Sequence, residues 1–307
     1  MQTLQQPRRE FYVPPSTQVI FVQDFFASEL IGGAELTSDA IIQACPYRLF
    51  QMHSHSVTES IVLKNKEKVW VFGNQVGVAP WLLDLFRQHN IEYYFFEYDF
   101  KPCLYRSTKK HELATGRCDC HLLPHGKFMS EWMVGARKLF WCSDGQRDKF
   151  YGLYPHLKGR TTDFTQSSTF YPDTVKRLGE IRKRRQSGEI AVQDHWIILN
   201  SDSWIKGRDA SVQYCRDHSL KYKLVGGVSN DEFIMELASS KGMVFLPLDI
   251  DVGSRTLTEC KLVGAEPVVN EFVLHAKEDW FNGRSAEDIE AYLLNGPDRF
   301  WRQVRSL

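Results

Sequence analysis

Asp251 and Glu259 stand eight residues apart, with Gly253, Ser254 and Arg255 between them. An apolar run at 243–247 precedes this segment, and the stretch 260–269 follows it. The pattern predicts strand, acidic turn, helix and strand, so the two carboxylates bracket a helix start, where an open parallel sheet binds its ligands. A glycine-containing turn at such a point presents backbone N–H groups to a sugar or a phosphate. A carboxylate one turn into the helix can grip a vicinal diol. Together these groups have the chemistry needed to hold a nucleotide sugar.

Four other groupings bear on chemistry. Cys103, Cys118, Cys120 and His121, with His111 and His125 nearby, are the densest set of soft ligands in the chain. Zinc takes four such ligands, and a structural ion inside a long loop would replace the core that the loop lacks. The spacing also fits cysteines that are simply buried. Asp249 and Asp251 spell an Asp-x-Asp pattern able to hold a divalent metal and a diphosphate, although they sit late in the chain and inside the acidic turn. His53 and His55 follow a strand and read as loop residues. Finally, six Lys or Arg fall between 176 and 185 on a helix predicted over 174–186. That run is either a solvated connector between domains or an acceptor-side patch for a polyanion.

The elements that must position these residues follow from periodicity. Strands are predicted at 17–23, 47–52, 69–72, 92–96 and 138–142, with helices at 34–43, 76–89 and 144–151. After the charged helix a second alternation begins, with strands at 195–200, 221–226, 242–247 and 266–269 and helices at 206–217, 229–239 and 255–263. A helical region at 286–303, broken near Gly296 and Pro297, closes the chain. Strands alternating with helices mean parallel βαβ units. The fold class is therefore α/β, with two Rossmann-like domains whose parallel sheets face each other across a cleft. The expected divisions are 1–170 and 171–285, followed by a helical segment at 286–307.

A chain of 307 residues, 43% hydrophobic, is long enough for two ordinary cores. Its 38 basic and 38 acidic residues cancel, so no overall field draws it to a polyanion or a membrane. Arg8, Arg9 and Glu10 argue against a signal peptide, and no apolar run approaches the ~20 residues that span a bilayer. Seven cysteines, an odd number, argue against a secreted disulfide framework. A cytoplasmic location without a membrane span is expected.

Four local motifs, spread over roughly 19–269, resemble the retaining GT-B glycosyltransferases, the large family that includes many bacterial sucrose, mannosyl and lipopolysaccharide transferases. Ile31, Gly32, Gly33, Ala34 and Glu35 are similar to that family's Gly-Gly-Ala-Glu loop. Phe96, Glu97, Tyr98, Asp99 and Phe100 stand where the family ends a strand in a polar residue facing the donor sugar, so Glu97 or Asp99 takes that place. Lys206 and Gly207 match the family's Lys-Gly pair for the diphosphate, while Ser201 stands where it has an Arg. Arg208 and Arg255 are the candidates to supply the missing charge. In the last motif Asp251 replaces the first acid of the family's pair and Glu259 matches the second.

The resemblance implies a glycosyltransferase moving a hexose or pentose from a nucleotide-diphosphate sugar, most simply a UDP-sugar, to an acceptor hydroxyl with retention of configuration. Catalytic roles fall to Glu97, Asp99, Lys206 and Asp251. Donor contacts fall to Gly32, Gly33, Lys206, Gly207, Asp251, Gly253, Ser254, Arg255 and Glu259. It places Gly32, Gly33 and Glu97 on one wall of a closing cleft and Lys206, Asp251 and Glu259 on the other. No metal is implied for catalysis. The acceptor is a glycan or glycoconjugate, or else a hydroxymethylated base in DNA, as in some bacteriophage enzymes. A further alternative is a binding module in which Ser201 and Asp251 record a decayed site.

Overall fold

The computed structural model describes residues 12–304, so Arg8, Arg9 and Glu10 lie outside it. The first half builds a six-stranded sheet from β1 (Val19–Gln23), β2 (Leu49–His53), β3 (Val69–Phe72), β4 (Tyr93–Glu97), β5 (Lys138–Trp141) and β6 (Thr162–Thr165). Their spatial order is β2-β1-β3-β4-β5-β6, and every pairing is parallel. The second half builds a four-stranded parallel sheet from β7 (Trp196–Leu199), β8 (Tyr222–Val225), β9 (Gly242–Phe245) and β10 (Glu266–Val269), in the order β10-β9-β7-β8.

The helices are α1 (Gly33–Gln43), α2 (Glu59–Lys64), α3 (Leu82–Gln88), α4 (Thr108–Thr115), α5 (Pro124–Gly135), α6 (Asp144–Leu153), α7 (Pro172–Gln186), α8 (Arg208–Asp217), α9 (Asn230–Ser239), α10 (Arg255–Leu262), α11 (Ala286–Leu294) and α12 (Gly296–Gln303). Among the described residues no helix is long and apolar enough to cross a membrane.

Strands β1, β3 and β4 are buried at every position because helices cover both faces of the sheet, which is why they read as unbroken apolar runs. One face carries an aromatic cluster of Trp70, Phe72, Phe86, Tyr93 and Trp132, packed edge-to-face at centroid separations such as 4.9 Å for Phe72 and Trp132. The other carries Phe21, Val71, Phe96 and Phe140 and is completed from the far end of the chain. There α12 packs on α1, Phe300 lies 4.4 Å from Phe140, and Trp301 Nε1 donates to Ile41 O at 2.8 Å. In the second half, Ile197, Met243, Phe245, Leu257, Ile289 and Leu293 form the main core beneath α7, α10 and α11.

Several elements differ from the sequence expectation. The helix expected over 76–89 begins only at Leu82, because Gly77 and Pro80 hold a loop in which the Gly77 amide donates to Ser54 Oγ at 3.1 Å. The long loop expected after β4 contains α4 and α5; Met129, Trp132 and Met133 of α5 are buried at helical spacing. β6, with sequence Thr-Asp-Phe-Thr, escapes notice because it is a half-exposed edge strand without an apolar run.

Candidate functional site

Both sheets have their order reversal beside the first strand of the domain, between β1 and β3 and between β7 and β9. Loops leaving the carboxyl ends of strands flanking such a point diverge and leave a crevice. The two crevices face each other here and enclose a cleft of about 440 Å³. Gly32, Gly33 and Asp99 line it from the first domain, and Lys206, Asp251, Gly253, Ser254, Arg255 and Glu259 from the second.

The second wall is assembled from two loops pressed together. Gly207 adopts φ +67°, and a Cβ there would lie 1.8 Å from Leu246 O, so only glycine lets the loop after β7 rest on the loop after β9. Leu248 N–H donates to Ile205 O at 2.9 Å and holds the same pair together. Asp251 is fixed by its own backbone: its N–H donates to Phe272 O at 2.9 Å and its carbonyl accepts from Leu274 N–H at 3.0 Å. The result places Lys206 Nζ 3.0 Å from Asp251 Oδ2 at the cleft surface.

Beyond Asp251 the chain enters α10. Ser254 caps it, its Oγ accepting from Leu257 N–H at 3.3 Å, while Ser168 Oγ donates to Gly253 O at 2.7 Å. The amides of Arg255 and Thr256 precede the first intrahelical bond, from Thr258 N–H to Ser254 O, and both residues line the cleft. They are positioned to receive an anion. Glu259 sits one turn further in and is buried; burial raises its pKa, and the Arg255 guanidinium opposes that rise. Arg255 lies 3.8 Å over the Phe170 ring and donates to Thr169 O at 2.5 Å. Burial lowers its pKa to about 10, which leaves it a cation at neutral pH, and Glu259 favours that charge.

Across the cleft, α1 begins at Gly33 with Gly32 at its cap, and the Glu35 carboxylate folds back beside Gly32 and accepts from its own first-turn amide. Gly33 faces Arg255, for a Cβ there would be 3.8 Å from Arg255 Cδ. Asp99 accepts two hydrogen bonds of 2.8 Å from Arg106 Nη1, and both residues line the cleft.

Two expected residues lie behind the walls. Glu97 is fully buried, its Oε1 accepting from Asp99 N–H at 3.1 Å and from Lys101 Nζ at 3.2 Å. Burial raises its pKa and the Lys101 ammonium lowers it. It shapes the turn that carries Asp99 toward the cleft. Gly207 acts through backbone fit, as described. Of the two arginines considered as substitutes at Ser201, Arg255 reaches the cleft, whereas Arg208 bonds Asp209 Oδ1 at 3.1 Å and Asn200 Oδ1 at 3.4 Å outside it.

The carboxylates of the Asp-x-Asp pattern serve different partners. Asp249 accepts from Ser107 Oγ at 2.5 Å and Lys109 N–H at 3.0 Å in the first domain, while Asp251 pairs with Lys206. The cations of α7 are engaged within its own half. Arg182 is buried against Glu287 and Glu290, Arg185 donates to Ala238 O and Ser240 O, and Lys176, Arg177, Lys183 and Arg184 each meet a carboxylate. Among the soft ligands, Cys103, Cys118 and Cys120 come together with His111; His121 instead packs 6.3 Å from Tyr154.

Sequence reasoning did not single out Ser168 or assign Arg106 to the cleft. Nothing local marks either, because Ser168 belongs to the interdomain connection and Arg106 arrives by a turn at φ +57°.

No protein-family model matches the chain, and no curated protein matches it in sequence. Among solved structures it is similar to HepE of Anabaena. The HepE complex with UDP is 11% identical, covers 93% of this chain and 95% of that one, and superposes with a TM-score of 0.55. For the HepE complex with UDP-glucose the values are 12%, 94%, 95% and 0.52. WaaG, a glycosyltransferase involved in lipopolysaccharide biosynthesis, is 12% identical over 94% of this chain and 96% of that one, with a TM-score of 0.49. At such identities the HepE likeness is one of fold, and with the two facing parallel sheets it shows that this chain has the GT-B fold.

Proposed function

We propose that the protein is a glycosyltransferase that moves a sugar from a UDP-sugar to a hydroxyl of a glycan or glycoconjugate, with retention of anomeric configuration. One observation carries the reading. The cleft gathers, on one wall, an ammonium group, two carboxylates and the open start of a helix, and the wall facing it is a glycine pair at the start of another. HepE, which has this fold, is seen in complex with UDP-glucose.

The diphosphate would lie over the α10 start and beside Lys206 and Arg255, where fixed positive charge stabilises the leaving group without waiting for solvent to reorganise. Glu259 would hold the ribose diol. Asp251 and Asp99 would face the sugar, with Gly32 and Gly33 allowing close backbone approach. In the transfer the anomeric carbon loses its bond to the diphosphate oxygen and gains one to the acceptor oxygen on the same face. The acceptor proton passes to the departing phosphate, so the protein supplies orientation and charge rather than a nucleophile. A recess lined by Asp24, His53, His55 and Arg106 meets the cleft at Arg106 and offers the acceptor a place.

The test is a panel of nucleotide sugars. A UDP-sugar should raise the melting temperature by binding the folded state and should be hydrolysed slowly without acceptor. Stabilisation with no hydrolysis under any acceptor would mark a binding module. Neither effect with any nucleotide sugar would reject the reading. Steeply salt-dependent retention on duplex DNA carrying hydroxymethylated bases would move the acceptor from glycan to DNA.

A further inference from the structure

Between residues 104 and 119 the chain buries only one side chain, Ser107. Helix α4 buries none, and Leu104, Tyr105 and Leu113 are exposed. A segment with so little apolar burial has no core of its own to hold it. It nevertheless carries Arg106 to Asp99 in the cleft and Ser107 to Asp249 across the domain interface.

What closes the segment is four side chains. Cys103 precedes it, His111 sits on α4, Cys118 lies near its end and Cys120 follows it; their ligand atoms all lie within 4.8 Å of one another. Cys103 Sγ is 3.7 Å from Cys118 Sγ and 3.7 Å from His111 Nδ1, and Cys120 Sγ is 3.2 Å from His111 Nδ1. A tetrahedral zinc with Zn–S near 2.3 Å and Zn–N near 2.0 Å sets its sulfurs about 3.8 Å apart and its nitrogen about 3.5 Å from each sulfur. The two sulfur–nitrogen separations bracket 3.5 Å, and the Cys103–Cys118 separation is close to the expected sulfur spacing.

Burial favours the neutral thiols at Cys103 and Cys118, and at each sulfur a backbone amide from two residues downstream, that of Tyr105 and that of Cys120, opposes it. The His111 ring stacks on Tyr105 at 4.7 Å and 15°, which fixes the direction of Nδ1. Such outer contacts orient ligands.

We propose that Cys103, His111, Cys118 and Cys120 bind one structural zinc ion, which fixes the 104–119 segment and with it Arg106 and the Ser107–Asp249 contact. Binding converts three thiols to thiolates and leaves the imidazole neutral, so up to three protons pass to solvent. One of them is the proton that Cys103 otherwise donates to Ser107 O at 3.4 Å. The ion has four protein ligands and therefore no open position for substrate, so its role is structural.

The test is metal content of the full chain expressed with zinc and purified without chelator. About one zinc per chain is expected. Protein stripped of zinc and given Co²⁺ should show the intense visible absorption of tetrahedral cobalt–thiolate. His111→Ala and Cys118→Ser should lose the ion, whereas His121→Ala should keep it. A chain that holds no zinc after supplementation, reacts fully at these thiols in its native state and gives no cobalt–thiolate spectrum overturns the proposal. Loss of the ion in His121→Ala with retention in His111→Ala overturns this ligand set. None of these readouts depends on transferase activity.

Discussion

Lys206 Nζ lies 3.0 Å from Asp251 Oδ2, joining the loop after β7 to the loop after β9 at the floor of the cleft. In the proposed reaction that ammonium group must turn from the carboxylate to the leaving diphosphate. Lys206→Ala should lower kcat/KM by about 10²–10³, the usual effect of removing one donor to a developing negative charge. Lys206 is 39% exposed, so the melting temperature should barely move. Steady-state kinetics with thermal denaturation of the same sample checks both.

Asp251→Asn separates the partners differently. With the competing carboxylate neutralised, UDP should bind at least as tightly, by at most about fivefold, the equivalent of ~1 kcal/mol for a pair whose ammonium group is solvent-accessible. Turnover should fall. Titration calorimetry with UDP beside kcat decides the matter; weaker UDP binding would mean that Asp251 orients the lysine rather than facing the sugar.

Glu259→Ala should raise the Kd for UDP by about 10–100-fold, because a charged acceptor bonded to hydroxyls contributes about 1.5–3 kcal/mol. Glu259 is buried and supports the Arg255 charge, so Glu259→Gln serves as the control for folding. Unchanged UDP binding in both variants would place the ribose elsewhere.

Gly207→Ala should destabilise the protein by about 2–4 kcal/mol, combining a left-handed backbone with overpacking against Leu246 O. The same substitution at Gly227, also at positive φ but with open space around it, should cost only the backbone term. Urea denaturation of the two variants measures the difference.

Glu278 connects the domains through pH. Its carboxylate accepts from the Asp144 amide at 2.6 Å, and burial raises its pKa from 4.5 to about 7. Over that interval the native state holds more protons than the unfolded chain. Its contribution to stability is therefore complete below pH 4.5 and declines as pH rises toward 7. Glu278→Gln should flatten the dependence of the melting temperature on pH between those limits, and an unaltered slope would assign the titration to another group.

How much was legible in the sequence depended on whether a residue's role was local. The apolar strands β1, β3, β4 and β9 announced themselves because their burial on both faces requires unbroken apolar runs. The acidic helix start at Asp251 to Glu259 was legible for a similar reason: turn, cap and carboxylate all fall within nine residues. Glu97 shows the opposite case. Its position at a strand end suggested the cleft, but a buried Lys101 four residues on turns the carboxylate inward and sends Asp99 out instead. The spacing pointed to His121, next to Cys120 in the chain, as fourth partner to the three cysteines with His111 merely nearby, and the fold brings His111 of α4 to them instead.

By itself the sequence determined that this chain forms two alternating α/β halves, because strand and helix periods are written in the spacing of its apolar residues. It also determined which loops carry polar groups at strand ends. Which of those groups meet was decided only by the tertiary structure. Lys206 reaches Asp251, Arg106 reaches Asp99 and Ser168 reaches Gly253 through backbone approaches such as that of Gly207 to Leu246, between segments distant in the chain. Contacts of that kind depend on how packed elements sit against one another, and no local pattern of residues records it.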